Sequence, residues 1–91
     1  MPRPRKFRTI NFCPRARYYK PQGIPLRILE EAILTTEEME ALRLKYEQNL
    51  DQENASKKMG ISQPTFHRTL DSAQTKIAKA LLEGKAIKIS E

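Results

Sequence analysis

The feature that most constrains the fold is an apolar stripe of helical periodicity in the C-terminal half of the 91-residue chain. Its members follow one another at intervals of three or four residues, which places them on one face of an α-helix; they are Phe66, Leu70, Ala73, Ile77 and Leu81. Ser62 is a favourable N-cap before the stripe, Pro64 fits the first helical turn, and Gly84 suits the position just past the end. The pattern predicts a helix over 63–83 with one buried face.

Another helix is predicted to begin with a capping box. Thr35 precedes Glu38 by three residues, so the threonine hydroxyl can accept from the Glu38 N–H while the carboxylate reaches back to the Thr35 N–H. Apolar residues then recur at three- and four-residue spacing, and we expect them to face inward; they are Met39, Leu42 and Tyr46. Together these signals predict a helix over 36–48.

Between these two helices the sequence predicts a short one over 52–59. Asp51 is its expected N-cap and Gly60 its terminating residue. Its inward-facing residues are Ala55 and Met59. Because a brief turn leads from Gly60 into the long helix, the pair has the form of a helix-turn-helix, with the small Ser56 where two helices cross closely.

The N-terminal segment has a different composition. Five of the six prolines lie at or before Pro25, which excludes a long helix there. Residues 7–12 and 17–20 have β-favouring side chains that permit short strands. A terminal strand is also predicted over 85–89, and 7–12 is its expected mate. A disordered basic tail is the alternative interpretation of the N-terminal segment.

These signals predict one small, mainly α domain, with an extended N-terminal arm and a short β-pairing of the two terminal segments. Within it we separate a basic, proline-rich arm, 1–27, from a three-helix, helix-turn-helix domain, 28–91. The formal net charge of +6 is unevenly distributed. The arm has eight cationic side chains and no acidic one, 28–56 has eight acidic and two cationic, and 57–91 has seven cationic and three acidic. Such asymmetry favours a polyanionic partner that meets the two basic blocks.

The start of the long helix carries the candidate DNA-reading residues. Once its apolar face is packed, polar side chains remain outward, as in recognition helices that enter the major groove. Glutamine can pair with adenine and arginine with guanine. The predicted base contacts are Gln63, Thr65, His67 and Arg68, and the predicted backbone or minor-groove contacts are Arg3, Arg5, Lys6, Arg8, Lys57, Lys58 and Lys76.

The same residues carry a resemblance. The run from Gln52 to Leu70 resembles the helix-turn-helix of sigma-factor region 4, in which an EExAxxxGIS turn precedes the recognition helix; Ser56 replaces the usual alanine. Almost the whole chain resembles a small prokaryotic family of uncharacterised, predicted DNA-binding proteins, domain-of-unknown-function family 134. The matching stretches are MPRPRKFR, YYKPQGIPLRILEEAILTTEEMEALRLKY and QENASKKMGISQPTFHRTLDSAQTKIAKALLEGKAIKI. The resemblance implies a winged-helix-like or sigma-region-4-like domain that binds DNA and regulates transcription.

Enzymatic functions are disfavoured by the residue inventory. His67 is the single histidine and Cys13 the single thiol, so we expect no catalytic residue, no metal site and no cofactor. No apolar run approaches the roughly 20 residues of a membrane span. We therefore expect a cytoplasmic protein.

The predicted function is sequence-specific binding of double-stranded DNA by a transcriptional regulator. An adaptor at the transcription machinery, in contact with RNA polymerase through the acidic central face, is one alternative, and an RNA-binding protein is another. A three-helix bundle that binds no nucleic acid is a third. Helix-turn-helix proteins often form homodimers, although no dimer seam can be assigned from the sequence.

Overall fold

The computed structural model describes residues 17–90, which form a mainly helical domain with a small sheet. The elements are, in chain order, β1 (Tyr18–Tyr19), a 3₁₀ turn (Leu26–Ile28), β2 (Glu31–Thr35), α1 (Thr36–Leu42), a π-helical turn (Arg43–Glu47), α2 (Gln52–Met59), α3 (Gln63–Glu83) and β3 (Ala86–Ser90). The predicted mainly α fold class is confirmed.

Local capping residues set the starts of the helices. Thr35 Oγ1 accepts a hydrogen bond from the Glu38 N–H at 3.1 Å, and a Glu38 carboxylate oxygen accepts from the Thr35 N–H at 2.9 Å, so the predicted capping box is present. Asp51 caps α2 and Ser62 caps α3, each accepting from the N–H three residues onward. The predicted bounds of α2 and α3 are confirmed, whereas the first helix continues beyond Leu42 as a π-helical turn.

A short turn joins α2 to α3. Gly60 ends α2 in the left-handed region, with φ of 71°, where a glycine avoids the clash that a Cβ would bring. The Ile61 N–H then donates to the Ser56 carbonyl at 3.0 Å, which closes the turn. Around it lies the apolar core, made of Ala41, Leu44, Ala55, Met59 and Phe66, with Leu50, Ile61 and Leu70 packed against it.

Two predicted burial patterns are wrong in detail. In the first helix Leu44 is buried and Tyr46 is 57% exposed, so the inward face is rotated from the predicted one. Glu40 is 1% exposed on this inward face and is tolerated there because Arg43 pairs with its carboxylate at 2.9 Å. At the end of α3, Ala80 is buried instead of Leu81.

The sheet brings distant segments of the chain together. β3 is its central strand, antiparallel to β1 with Tyr18 opposite Lys88 and parallel to β2 with Glu31 opposite Ala86. β1 falls within the strand predicted at 17–20, but β2 was not predicted. The expected mate of β3, 7–12, lies outside the described residues.

Candidate nucleic-acid interface

The first two turns of α3 present polar side chains to solvent. Phe66 is 1% exposed and fixes the rotation of the helix, since it belongs to the core cluster shared with α1 and α2. Gln63, His67 and Arg68 are all exposed. The structure therefore brings three of the four predicted base-contacting residues to one accessible surface.

Thr65, the fourth of these residues, is half-buried and serves the helix start. Its N–H donates to Ser62 Oγ at 3.2 Å, and its hydroxyl accepts from the Ser62 hydroxyl at 2.9 Å. The Arg68 guanidinium approaches the same threonine oxygen at 3.4 Å. Thr65 thus positions the cap and Arg68, and its hydroxyl is less available to a ligand than the exposed side chains are.

Arg68 also lines an open groove between α3 and the start of α1. The other side chains of this groove are Thr35, Glu37, Glu38, Thr69 and Ser72. Acidic groups of α1 therefore lie near the predicted reading surface, an arrangement that the separation of charge blocks along the sequence did not reveal.

Sequence reasoning missed one contact that joins the two helix starts. The Gln52 side-chain amide donates to the Gln63 carbonyl at 3.2 Å. Because Gln52 is the first residue of α2 and Gln63 the first of α3, this bond holds both N-terminal ends next to each other. No periodic signal connects positions eleven residues apart, so this contact could not be predicted from the sequence.

The predicted phosphate-contacting lysines differ in their surroundings. Lys58 is exposed. Lys57 is also exposed and lies 3.5 Å from Glu53, one turn earlier in α2. Lys76, by contrast, donates to the Ile33 carbonyl at 2.7 Å and to a Glu38 carboxylate oxygen at 2.9 Å. The Lys76 ammonium is therefore engaged within the domain and is less available to a ligand than the ammonium of Lys58.

Glu38 is the centre of a polar cluster, defined here as Glu38, Ser72 and Lys76 with the Thr35 backbone. The carboxylate is almost fully buried and accepts hydrogen bonds from the Ser72 hydroxyl at 2.6 Å, from Lys76 and from the Thr35 N–H. Burial acts to raise the pKa of Glu38, but these hydrogen bonds and the Lys76 charge outweigh it and lower that pKa below its ordinary value. The cluster keeps Glu38 ionised and ties α1 to α3.

The acidic central block is partly neutralised by internal ion pairs. Besides Glu38 and Glu40, Glu53 pairs with Lys57 and Glu30 lies 3.6 Å from Lys85. The formal charge of that block therefore overstates the repulsion it would exert on a polyanion.

The predicted arm contacts cannot be placed, because Arg3, Arg5, Lys6 and Arg8 lie outside the described residues. Within 17–90, no cluster of three or more histidine, cysteine or carboxylate side chains is arranged to hold a metal ion. In the same part of the chain, no helix combines the length and the hydropathy needed to cross a membrane.

Comparison with known proteins identifies the family. The family model described as Protein of unknown function DUF134 matches residues 1–91. A UPF0251 protein of Moorella thermoacetica is 51% identical over 89 residues, which cover 98% of this chain and 60% of that relative. A UPF0251 protein of Dehalococcoides mccartyi is 57% identical over 89 residues, 98% of this chain and 76% of its own length.

A UPF0251 protein of Desulforudis audaxviator is 52% identical, and the matched region covers 58% of it. The chain thus spans between about three fifths and three quarters of these relatives. No solved structure matches it. Because the family model covers residues 1–91, and more than half of the 89 aligned residues are identical in these relatives, the chain belongs to the DUF134 family.

Proposed function

We propose that this protein binds double-stranded DNA in a sequence-specific manner, as a transcriptional regulator, with α2 and α3 acting as a helix-turn-helix. The observation that carries the proposal is the exposed polar surface on the first two turns of α3, on a helix whose rotation is fixed by buried Phe66. A surface of this kind suits the major groove, which admits an α-helix and displays a distinct pattern for each base pair.

The three exposed residues have separate roles in this proposal. Gln63 pairs with adenine through its amide, and Arg68 pairs with guanine through two parallel hydrogen bonds. His67 lies between them in sequence and contacts a base edge or a phosphate. Because Thr65 supports Arg68 from within the helix, it acts on base preference indirectly.

Phosphate contacts come from other elements. Lys57 and Lys58 lie in the last turn of α2 and are both exposed, so their ammonium groups can reach phosphates. The arginines of the N-terminal arm add minor-groove or phosphate contacts. These groups set affinity, whereas the α3 surface sets sequence preference.

A selection of bound duplexes from a random pool, followed by anisotropy titrations over a salt series, tests the proposal. We expect one enriched motif and a log affinity that falls linearly with log salt. Absence of duplex binding at about 50 mM salt would exclude the proposal, and preference for structured RNA over duplex DNA would replace it with the RNA-binding alternative.

Arg68→Lys is the matched variant for this experiment, since it keeps the charge and removes the forked donor geometry. We expect it to cost about 1–3 kcal/mol on the selected motif and to relax preference at one position, with the salt slope unchanged. An equal loss on every sequence would mean that Arg68 contacts a phosphate. Lys45→Ala, which removes an exposed cation from the π-helical turn, away from the proposed DNA contacts, serves as the comparison for loss of a positive charge alone.

One observation favours the adaptor function as a second candidate. Met39 and Leu42 are half-buried, and with the exposed ring of Tyr46 they line an apolar cleft beside Glu47 on the first helix. A cleft of this composition can take an apolar side chain of a protein partner such as RNA polymerase. If Tyr46→Ser abolishes co-sedimentation with RNA polymerase while duplex binding is absent, the adaptor function is the correct one.

A further inference from the structure

The exposed surface at the start of α3 continues into one acidic side chain, that of Asp71. An α-helix turns by about 100° per residue, so Asp71 projects between the directions of His67 and Arg68 when the helix is viewed along its axis. The rise of the helix places Asp71 about 4.5 Å beyond Arg68. Asp71 therefore belongs to the same surface as the exposed residues that are proposed to meet the bases.

Asp71 differs from other acidic side chains of the domain because it has no partner. Five of those side chains lie within 3.6 Å of a lysine or arginine nitrogen: Glu30, Glu38, Glu40, Glu53 and Glu83. Asp71 makes neither an ion pair nor a side-chain hydrogen bond within residues 17–90. The guanidinium of Arg68, one turn earlier, approaches the Thr65 hydroxyl instead. The carboxylate of Asp71 thus keeps its full negative charge on the exposed surface.

An unpaired carboxylate on a DNA-facing surface is repelled by phosphates, so it lowers affinity unless a base supplies a hydrogen-bond donor. In the major groove, guanine presents only acceptors and thymine presents an acceptor and a methyl group. Adenine has an amino donor next to the N7 acceptor, whereas cytosine presents its N4 amino donor alone. A carboxylate is therefore satisfied by cytosine and left unpaired or repelled over the other bases, which gives discrimination in both directions.

We infer that Asp71 is a specificity-determining residue that accepts a hydrogen bond from the N4 amino group of a cytosine. This role rests on the proposed function and adds an acidic reader to the amide and cationic ones. Successive bases are about 3.4 Å apart along the duplex, so the axial spacing of the two residues places this cytosine one or two base pairs from the guanine that Arg68 contacts. Asp71 weakens binding to other sequences and so sharpens sequence preference.

Parallel selections from a random duplex pool, with the full chain and with Asp71→Asn, test this role. In the parent motif we expect a cytosine one or two base pairs from the position that Arg68→Lys relaxes. Asparagine keeps the size of the side chain, and its amide pairs with adenine, so Asp71→Asn should lose the preference for cytosine and leave the other positions unchanged. Because Asp71 is exposed, the variant should keep the circular dichroism and melting temperature of the parent.

Anisotropy titrations give a second, independent signature. On the parent motif Asp71→Asn should weaken binding by about tenfold. On a scrambled duplex the same change should strengthen binding by at least about twofold at low salt, because it removes a charge that phosphates repel. Glu47→Gln is the matched control, since Glu47 is an exposed acid in the π-helical turn; it should leave the motif and both affinities unchanged.

The outcomes separate this role of Asp71 from the proposed function. If Asp71→Asn keeps the cytosine preference, or changes the two affinities no more than Glu47→Gln does, Asp71 is a solvated charge outside the interface and its assigned role is wrong, while the proposed function stands. If the parent binds no duplex, both are wrong.

Discussion

The start and the middle of α3 are held to the rest of the domain by different forces. At its start, Phe66 lies in an apolar cluster with Ala55 and Met59 of α2. At its middle, Ser72 and Lys76 bind the buried carboxylate of Glu38. The apolar contact is non-directional and independent of pH, whereas the polar cluster depends on the ionised state of one group. The start of α3 is therefore fixed under all conditions in which the protein is folded, and its middle is sensitive to acid.

The largest loss of stability is expected for a substitution of Phe66, in the apolar contact at the start of α3. Phe66→Ala should lower the free energy of unfolding by about 3–5 kcal/mol, since it removes an almost fully buried ring and leaves a cavity. Urea unfolding at pH 5 and pH 8 should give the same loss within error. Phe66→Leu, which keeps most of the volume, should cost about 1.5 kcal/mol or less. If the loss of unfolding free energy caused by Phe66→Ala depended strongly on pH, the contrast between the start and the middle of α3 would be wrong.

Glu38→Gln should have the next largest effect, about 1–3 kcal/mol at pH 7, because it weakens hydrogen bonds made to a charged, buried acceptor. The amide keeps the size of the carboxylate, so cavity formation does not contribute. Equal stability of the two proteins at pH 7, measured in urea, would show that the polar cluster adds nothing to the attachment of α3.

The difference in unfolding free energy between the parent and Glu38→Gln should depend on pH, because the pKa of Glu38 is lowered in the folded protein. A carboxyl whose pKa is lower in the folded state stabilises the fold fully above its unfolded pKa, and this contribution is lost as the pH falls through the folded pKa. The gap between the parent and Glu38→Gln should therefore be constant above about pH 5 and shrink below about pH 4. Thermal melts from pH 7 to pH 3 measure it, and a gap that widens on acidification would contradict the assignment.

The smallest losses of stability are expected for two lysine substitutions, each of which removes one ion pair. Lys76→Met should cost roughly 1–2 kcal/mol, because it leaves the buried Glu38 carboxylate without its cationic partner. Lys57→Met should change stability by about 0.5 kcal/mol or less, since Lys57 and Glu53 are both well exposed. For DNA affinity the order should reverse, with Lys57→Met the more harmful. Equal losses of stability in Lys76→Met and Lys57→Met would contradict the view that the ion pair to buried Glu38 stabilises the fold more than the exposed pair does.

The helix bounds could be predicted from the sequence because their determinants are local. Thr35, Asp51 and Ser62 each contact an N–H only three residues onward, and Gly60 and Gly84 adopt the left-handed conformation that helix ends favour. Each capping residue and its partner lie within a few residues of one another, so a helix end can be recognised without knowledge of the tertiary contacts.

The strand β2 could not be predicted, because its pairing partner is remote. Glu31 lies opposite Ala86, 55 positions later, and the five residues of β2 alternate too briefly to indicate a strand by themselves. The burial of Ala80 in place of Leu81 has a similar origin, since a small side chain suits the close approach of α3 to the sheet. Which face is inward depends on the partner element and not on the helix sequence alone.

The exposure of the candidate residues could be predicted from the sequence, whereas the contacts that support them could not. Periodicity placed His67 and Arg68 outward because Phe66 had to be inward, and Gln63, the first residue of α3, is exposed as well. The engagement of Lys76 with Glu38 joins residues 38 positions apart, and neither charge nor spacing distinguishes such a lysine from one that faces solvent.

The central position of β3 has a consequence for biosynthesis. β1 and β2 each pair with β3 and not with each other, so within residues 17–90 neither has its strand partner until β3 has been made. The helical part can fold first on the ribosome, whereas the sheet assembles after Ala86–Ser90 has emerged, the last of the described elements to be translated. Until then Leu34 lacks the neighbour, Ile89, that lies beside it in the finished protein, and the hydrogen-bonding edge of β2 that β3 later occupies is unpaired.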